Sequence, residues 1–245
     1  VGLYIIYVLT MWFHLPLVIS CLVAIAVVTF LNVLAQSVVV QPLLTRKTPM
    51  LNQFLAMGSV VIILENLFLV IFGADYKTTT VSLPVLHVGE LYIMTSNLIA
   101  FLGGIITLAF LYVFLHKTYM GLAIRAVAQD ADAARIMGIN PRLIYIFTMA
   151  LGGILASVAA SLFVPIYAVY PYFGTSFTIL AFVTVVLGGM GNLFGGFISA
   201  FIIGLVTIMG STLINPEFGA ISAYLIFIIV ILFRPEGLLG LRARI

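Results

Sequence analysis

The sequence predicts an all-α protein with several transmembrane helices, and its composition and hydropathy pattern both lead to this fold class. Of its 245 residues, 64% are hydrophobic and 7% are charged, and the mean hydropathy is +1.33. Soluble domains carry about one quarter charged residues. Several uncharged stretches approach roughly 20 residues, the length that an α-helix needs to cross a bilayer. These stretches are continuously apolar and do not alternate, which argues against a transmembrane β-barrel.

About eight spans are predicted, the first of them partial, within a single transmembrane domain covering residues 1–245. Their boundaries follow Pro, Gly and polar residues that begin or end helices. The predicted spans are Val1–Phe13, Leu17–Val40, Leu51–Phe72, Asn97–Leu115, Leu143–Val164, Phe177–Leu187, Phe197–Ile214 and Phe218–Phe233. Alternating residues around Thr80–Val88 favour a small hairpin or an extended loop. Because the chain begins inside an apolar stretch and without Met, we expect an N-terminal truncation.

The distribution of positive charge predicts the orientation of the chain in the membrane. Nine of the ten Lys and Arg residues fall in three regions, which are Arg46–Lys47, Lys117–Arg142 and Arg234–Arg244. Cytoplasmic loops are enriched in Lys and Arg. We therefore expect these regions and the C-terminus in the cytoplasm. The opposite side then carries the connections Gly73–Thr95, Pro165–Thr175 and Asn215–Glu217.

The polar stretch within residues 117–141 is the strongest candidate for contact with a partner in water. It is Ala-rich and mixed in charge, with Pro141 to stop its helix. Adjacent alanines make a low helix surface that can enter a groove, and Gly138 lets the backbone turn away. A plain solvated helix with an Asp132–Arg135 pair is the alternative. The candidate contact residues are Arg125, Asp130, Asp132, Ala133, Ala134, Arg135 and Gly138.

Polar residues inside the predicted spans are candidates for a translocation pathway. Glu65 and Asn66 interrupt the span Leu51–Phe72, and an ionisable residue at that depth costs at least about 2.5 kcal/mol. Glu65 either lines a pathway or forms a hydrogen bond to a neighbouring helix, such as the one that bears Asn97. Asn97 and Thr184 are further candidates for the pathway, although Thr often bonds its own helix. The glycines of Gly152-Gly153 and Gly188–Gly196 indicate either broken helices or close helix packing.

The sequence offers no pattern for catalysis, a cofactor or a metal ion. The three histidines lack partners at ligand spacing, and Cys21 is the sole cysteine. No Gly-x-x-x-x-Gly-Lys-Ser/Thr loop is present, so nucleotide phosphates cannot be held in that way. We therefore expect a protein that is not an enzyme, needs no cofactor and does not bind nucleic acid.

Several motifs together give the chain a resemblance to a known family. They are the Asp132-Ala133-Ala134-x-x-x-Gly138 pattern, Gln41-Pro42-Leu43 before a basic pair, Leu187-Gly188-Gly189-Met190-Gly191, and Arg234-Pro235-Glu236-Gly237-Leu238-Leu239-Gly240. In this order, and over most of the chain, they resemble the permease subunits of bacterial ABC importers for branched-chain amino acids, of the high-affinity leucine/isoleucine/valine type. One departure is Asp132, because the general importer motif has Glu at this position.

The resemblance implies an ATP-driven import mechanism with alternating access. Residues 117–141 would form a cytoplasmic coupling loop, in which Asp132, Ala133, Ala134 and Gly138 dock onto an ATP-binding subunit. The implied partners are two cytoplasmic ATP-binding subunits, a second homologous permease, an extracytoplasmic substrate-binding protein and the lipid of a bacterial or archaeal plasma membrane. Two alternatives remain open, namely an ABC permease for another small solute such as urea, amides or sugars, and a proton-coupled carrier that uses Glu65.

Overall fold

A computed structural model describes residues 1–43, 49–79, 84–88, 91–216 and 218–239. The described chain is mainly α-helical, with one small hairpin. The helices are α1 (Gly2–Met11), α2 (Leu17–Ala35), α3 (Pro49–Phe72), α4 (Thr95–Lys117), α5 (Tyr119–Gln129), α6 (Ala131–Ile136), α7 (Pro141–Phe163), α8 (Phe173–Gly188), α9 (Leu193–Leu213) and α10 (Phe218–Phe233). The strands are β1 (Val85–Val88) and β2 (Leu91–Met94).

The apolar helices confirm the predicted all-α membrane fold. Five helical segments of the described chain are long and apolar enough to cross a membrane, and α1, α8 and α10 are shorter apolar helices. The span that begins with α2 reaches Leu43, because α2 continues into a π-helical segment, Gln36–Val40, and a 3-10 turn, Gln41–Leu43. Helix α8 begins at Phe173 and not at Phe177, which shortens the predicted connection before it.

Contacts divide the chain into two compact units, Val1–Pro171 and Tyr172–Ile245. In the first unit, α2 packs along α7 at a point where α7 carries Gly153. A Cβ atom on Gly153 would lie 2.9 Å from the Cα atom of Thr29 and 3.2 Å from the Cβ atom of Asn32. Small residues permit such close approach between transmembrane helices. Helix α7 is continuous here, so the packing interpretation of Gly153 is confirmed.

In the second unit, α8, α9 and α10 surround a core of Val183, Leu187, Ile203 and Ala223. The glycine-rich stretch 188–196 forms the turn between α8 and α9 and the first turn of α9. A Cβ atom on Gly188 would lie 2.5 Å from the backbone nitrogen of Gly196, so the two helix ends meet backbone to backbone. The stretch is therefore both a break between helices and a packing point.

The hairpin lies slightly later than the sequence predicts. Strands β1 and β2 pair antiparallel, with Val85 opposite Met94 and Val88 opposite Leu91. The predicted hairpin or extended loop began at Thr80, and residues 80–83 lie outside the described chain. Also outside it are four of the cations used for the orientation, Arg46, Lys47, Arg242 and Arg244.

Candidate functional site

The polar segment between α4 and α7 folds as two short helices whose starts are capped by side chains. The hydroxyl of Thr118 accepts a hydrogen bond from the Gly121 amide at 3.1 Å, which caps α5. One carboxylate oxygen of Asp130 accepts from the amides of Asp132 and Ala133 at 2.9 and 3.0 Å, which caps α6. These caps satisfy amides that have no partner within a helix. The segment therefore has a defined backbone geometry.

Gly121 sets the sharp corner between α4 and α5. A Cβ atom at this position would lie 2.5 Å from the Cα atom of Leu115, closer than real Cβ atoms approach. Glycine is the residue that permits such a close approach of two backbone segments. The direction in which α5 leaves the membrane span α4 therefore depends on Gly121.

Gly138 ends α6 in the manner that the sequence predicts. Its φ angle is +86°, in the left-handed region that favours glycine. The Gly138 amide donates to the Arg135 carbonyl and the Ile139 amide donates to the Ala134 carbonyl, both at 3.0 Å. This pair of bonds is the Schellman motif, which satisfies the last carbonyls of a helix. Asn140 then caps α7 by accepting a hydrogen bond from the Arg142 amide at 3.1 Å.

The two adjacent alanines of α6 differ in burial, so only Ala133 contributes to the exposed surface of this helix. Ala134 is only 5% exposed and belongs to a cluster with Val127 of α5 and Ile144 of α7. Ala133 is exposed. Consecutive residues of a helix point about 100° apart, so one of the two can pack inward while the other faces outward. Ala134 therefore holds α6 onto its own chain.

The outer surface of α6 combines charge with exposed apolar side chains. Asp132 and Arg135 are exposed and form a pair with 3.6 Å between Oδ1 and a guanidinium nitrogen. Ile136 and Met137 follow at the end of the helix and are 86% and 81% exposed. Arg125 is exposed on α5. An exposed ion pair contributes roughly 0–1 kcal/mol, so this pair does little to fix the fold.

A shallow depression of about 500 Å³ lies where the chain passes from α6 into α7. The residues that line it are Arg135, Gly138, Ile139, Asn140, Pro141 and Arg142. It combines two guanidinium groups with backbone and side-chain polar atoms. Arg142 was not among the predicted contact residues. Its position in the first turn of a capped helix was the signal that could have singled it out.

Two of the four predicted intramembrane residues form hydrogen bonds within their own helices. The Asn66 amide donates to the Ile62 carbonyl at 2.8 Å, and the Thr184 hydroxyl donates to the Leu180 carbonyl at 2.7 Å. Glu65 is half-buried on α3, and Asn97 is exposed in the first turn of α4. In the described chain no group of three His, Cys, Asp or Glu residues is placed to hold a metal ion.

In the second unit, hydrogen bonds join two of the sequence motifs, at 187–191 and 234–240, and the sequence did not predict this pairing. The segment 237–239, after α10, pairs with the end of α8, where the Leu238 amide donates to the Leu187 carbonyl at 2.7 Å. The Asn192 side-chain amide donates to the Leu239 carbonyl at 2.8 Å. Gly237 has a φ angle of +83°, and a Cβ atom there would lie 2.6 Å from the Gly189 nitrogen. We call this pairing of 237–239 with 187–192 the C-terminal clasp.

Comparison with known proteins identifies the family. The family described as branched-chain amino acid transport system / permease component matches residues 1–233. The high-affinity branched-chain amino acid transport system permease protein LivH of Escherichia coli (strain K12) is 31% identical over 149 residues, which cover 60% of this chain and 48% of LivH. BraD of Pseudomonas aeruginosa, a permease protein with the same description, is 34% identical over 131 residues, covering 53% of this chain and 43% of BraD.

A further relative is named for a different substrate. The ribose import permease protein RbsC of Escherichia coli (strain K12) is 36% identical over 110 residues, covering 42% of this chain and 34% of RbsC. The chain spans about half the length of LivH and a smaller part of BraD and RbsC. No solved structure matches the chain. On the family match over residues 1–233, the chain belongs to the branched-chain amino acid transport system permease family.

Proposed function

We propose that this chain is the membrane-spanning permease subunit of an ATP-driven importer, coupled to cytoplasmic ATP-binding subunits through residues 117–141. The observation that carries the proposal is the geometry of α6. Ala134 anchors the helix to α5 and α7, while Asp132, Ala133 and Ile136 face outward. A short, capped helix with an exposed mixed surface suits insertion into a groove of a partner. Because α6 packs against the start of α7, force on α6 acts directly on a membrane span.

The imported solute is proposed to be a branched-chain amino acid. The descriptions of LivH and BraD, and of the matching family, support this substrate. The same family supports a transporter rather than an enzyme, with two ATP-binding subunits, a second homologous permease and an extracytoplasmic substrate-binding protein as partners. We propose no catalytic step and no cofactor for this chain.

The location proposed is the plasma membrane of a bacterium or archaeon, with residues 1–245 as one multi-pass permease domain. The charge distribution supports a cytoplasmic C-terminus and a cytoplasmic segment 117–141. The hairpin β1–β2 and the Gly73–Thr95 connection would then lie on the opposite side.

Affinity purification of the tagged full chain from its native membranes tests the coupling. ATP-binding subunits should co-purify with the unaltered chain and be lost when residues 121–141 are scrambled. Scrambling residues 74–79 in the other connection is the matched control, and it should leave co-purification intact. Retention of the ATP-binding subunits after residues 121–141 are scrambled would contradict the proposal.

A different solute within the same mechanism is the second candidate function. The similarity to the ribose import permease over 110 residues supports this second candidate. Uptake of radiolabelled leucine in cells that express the complete system, in competition with ribose, urea and short amides, separates the two. Competition by unlabelled isoleucine and valine alone is the expected result, whereas competition by ribose would replace the proposed substrate.

A further inference from the structure

The depression between α6 and α7 is open, and two positively charged side chains border it. Arg135 borders it from α6, and Arg142 borders it from the first turn of α7. Gly138 forms part of its wall and leaves it open, because no atom lies within 4 Å of where a Cβ would be. The two guanidinium groups can converge on a negatively charged group placed in this depression.

Arg142 occupies a position that its own helix does not favour. It is the second residue of α7, directly after Pro141. The N-terminus of a helix carries partial positive charge, so a cation in the first turn is unfavourable there. Within the described residues, the ion pair Asp132–Arg135 is the one that forms, and Arg142 takes no part in it. A residue that opposes its local structure in this way points to a role outside the fold.

The charge around the depression calls for a negative partner. From Lys117 to Arg142 the chain carries four cations, and its acids are Asp130 and Asp132. The Asp130 carboxylate is committed to the cap of α6. Asp132 pairs with Arg135, so it is Arg142 that gives the depression a net positive charge. Beside it, the exposed Ile136 and Met137 supply an apolar margin.

We propose that the depression receives a carboxylate side chain of the ATP-binding subunit, bound by the Arg142 guanidinium, while Ile136 and Met137 pack against an apolar surface beside that carboxylate. This inference rests on the proposed function. Arginine is suited to the role because its guanidinium can bind both oxygens of a carboxylate. On this account α6 inserts into a groove of the ATP-binding subunit, and the depression accepts a side chain of the same subunit.

Zero-length cross-linking of the full-chain complex tests the proposal. Arg142→Lys keeps the charge and supplies an amine, so a carbodiimide should join Lys at position 142 to an Asp or Glu of the co-purified ATP-binding subunit. Peptide mapping by mass spectrometry identifies the acid. Arg234→Lys, which is exposed after α10 and outside residues 117–141, is the matched control and should give no such product. A cross-link from Arg234→Lys and none from Arg142→Lys would overturn the proposal.

A charge reversal adds a readout of affinity. Arg142→Glu should fold normally, because Glu suits the first turn of a helix. It should weaken binding of the ATP-binding subunit by roughly tenfold or more, whereas Arg234→Glu, outside residues 117–141, should change it much less. Equal effects from both variants would show a diffuse charge effect and refute a specific contact.

Three outcomes keep this inference separate from the proposed function. If ATP-binding subunits never co-purify with the unaltered chain, the proposed function itself fails. If they co-purify normally with Arg142→Glu, the proposed function stands and the inference fails. In a third outcome, Arg142→Glu alters binding of the ATP-binding subunit only in vesicles that contain anionic phosphatidylglycerol, and no carboxylate cross-link forms. Arg142 then contacts lipid headgroups, and the inference is also refuted.

Discussion

The side-chain amide of Asn192 donates a 2.8 Å hydrogen bond to the carbonyl of Leu239, a residue 47 positions later in the chain. The carbonyl oxygen of the same Asn192 side chain accepts from the Gly195 amide at 3.0 Å and so caps α9. One residue therefore begins a helix and holds the C-terminal clasp. The clasp in turn supplies partners for the last carbonyls of α8, because the Leu239 amide also donates to the Gly188 carbonyl at 3.3 Å.

Asn192→Asp should weaken the clasp and keep the helix cap. Asp retains the acceptor oxygen but loses the amide donor, and its charge faces the Leu239 carbonyl. We expect a free energy of unfolding lower than that of the control by about 1–2 kcal/mol. The control is Asn140→Asp, which keeps the acceptor oxygen that caps α7. Thermal unfolding in detergent, followed by the loss of helical circular dichroism, compares the two variants, and equal melting temperatures would show that the clasp bond contributes nothing.

Gly153→Ala should loosen the packing of α2 against α7. The added methyl would lie 2.9 Å from the Thr29 Cα atom, so the helices must separate or shift. Overpacking of this kind costs roughly 1–3 kcal/mol. At the neighbouring Gly152, nothing lies within 4 Å of the place that an added methyl would occupy, and Gly152→Ala should be neutral or slightly stabilising. The same thermal assay measures both, and similar losses from the two substitutions would argue against the specific contact.

The two alanines of α6 should respond differently to the same large side chain. Ala133→Arg adds bulk at an exposed position, so it should leave the segment folded and block contact with the ATP-binding subunit. Ala134→Arg places a charge in the cluster with Val127 and Ile144 and should make residues 117–141 sensitive to protease. Limited proteolysis and co-purification together separate the effects. An Ala133→Arg protein that binds the ATP-binding subunit normally would exclude this face of α6 from the interface.

Glu65→Gln should alter ATP-driven uptake only modestly. Glu65 lies on α3, whose surface is largely exposed in this chain, and its replacement by Gln keeps the shape of the side chain and removes its ionisable group. The measurement is leucine uptake as a function of external pH in the complete system. Loss of uptake together with a changed pH dependence would instead favour the proton-coupled carrier.

The membrane spans were predictable from sequence because hydropathy alone determines them. The span Leu51–Phe72 and the helix Phe218–Phe233 have the predicted bounds. The predicted span Leu17–Val40 includes the π-helical segment Gln36–Val40, but the change of helix type there was not predicted. Side chains there are apolar on both sides of the boundary, so nothing in the pattern marks the change of helix type.

The candidate site was only partly predictable, because tertiary contacts decide which side chains of a helix pack inward. Sequence located the α6 segment and its glycine terminus, but two adjacent alanines carry no sign of which one packs inward. That choice is set by Val127 and Ile144, which lie on other helices. The C-terminal clasp was hidden for the same reason, since its two motifs are separated by α9 and α10.

ATP-driven leucine uptake by proteoliposomes tests the central claim most directly. The vesicles would contain this chain with its co-purified ATP-binding subunits, any partner permease and the substrate-binding protein. We predict uptake that requires ATP on the side of residues 117–141 and is abolished by Ala133→Arg. Accumulation of leucine by this chain alone, driven by an ion gradient without ATP, would contradict the account.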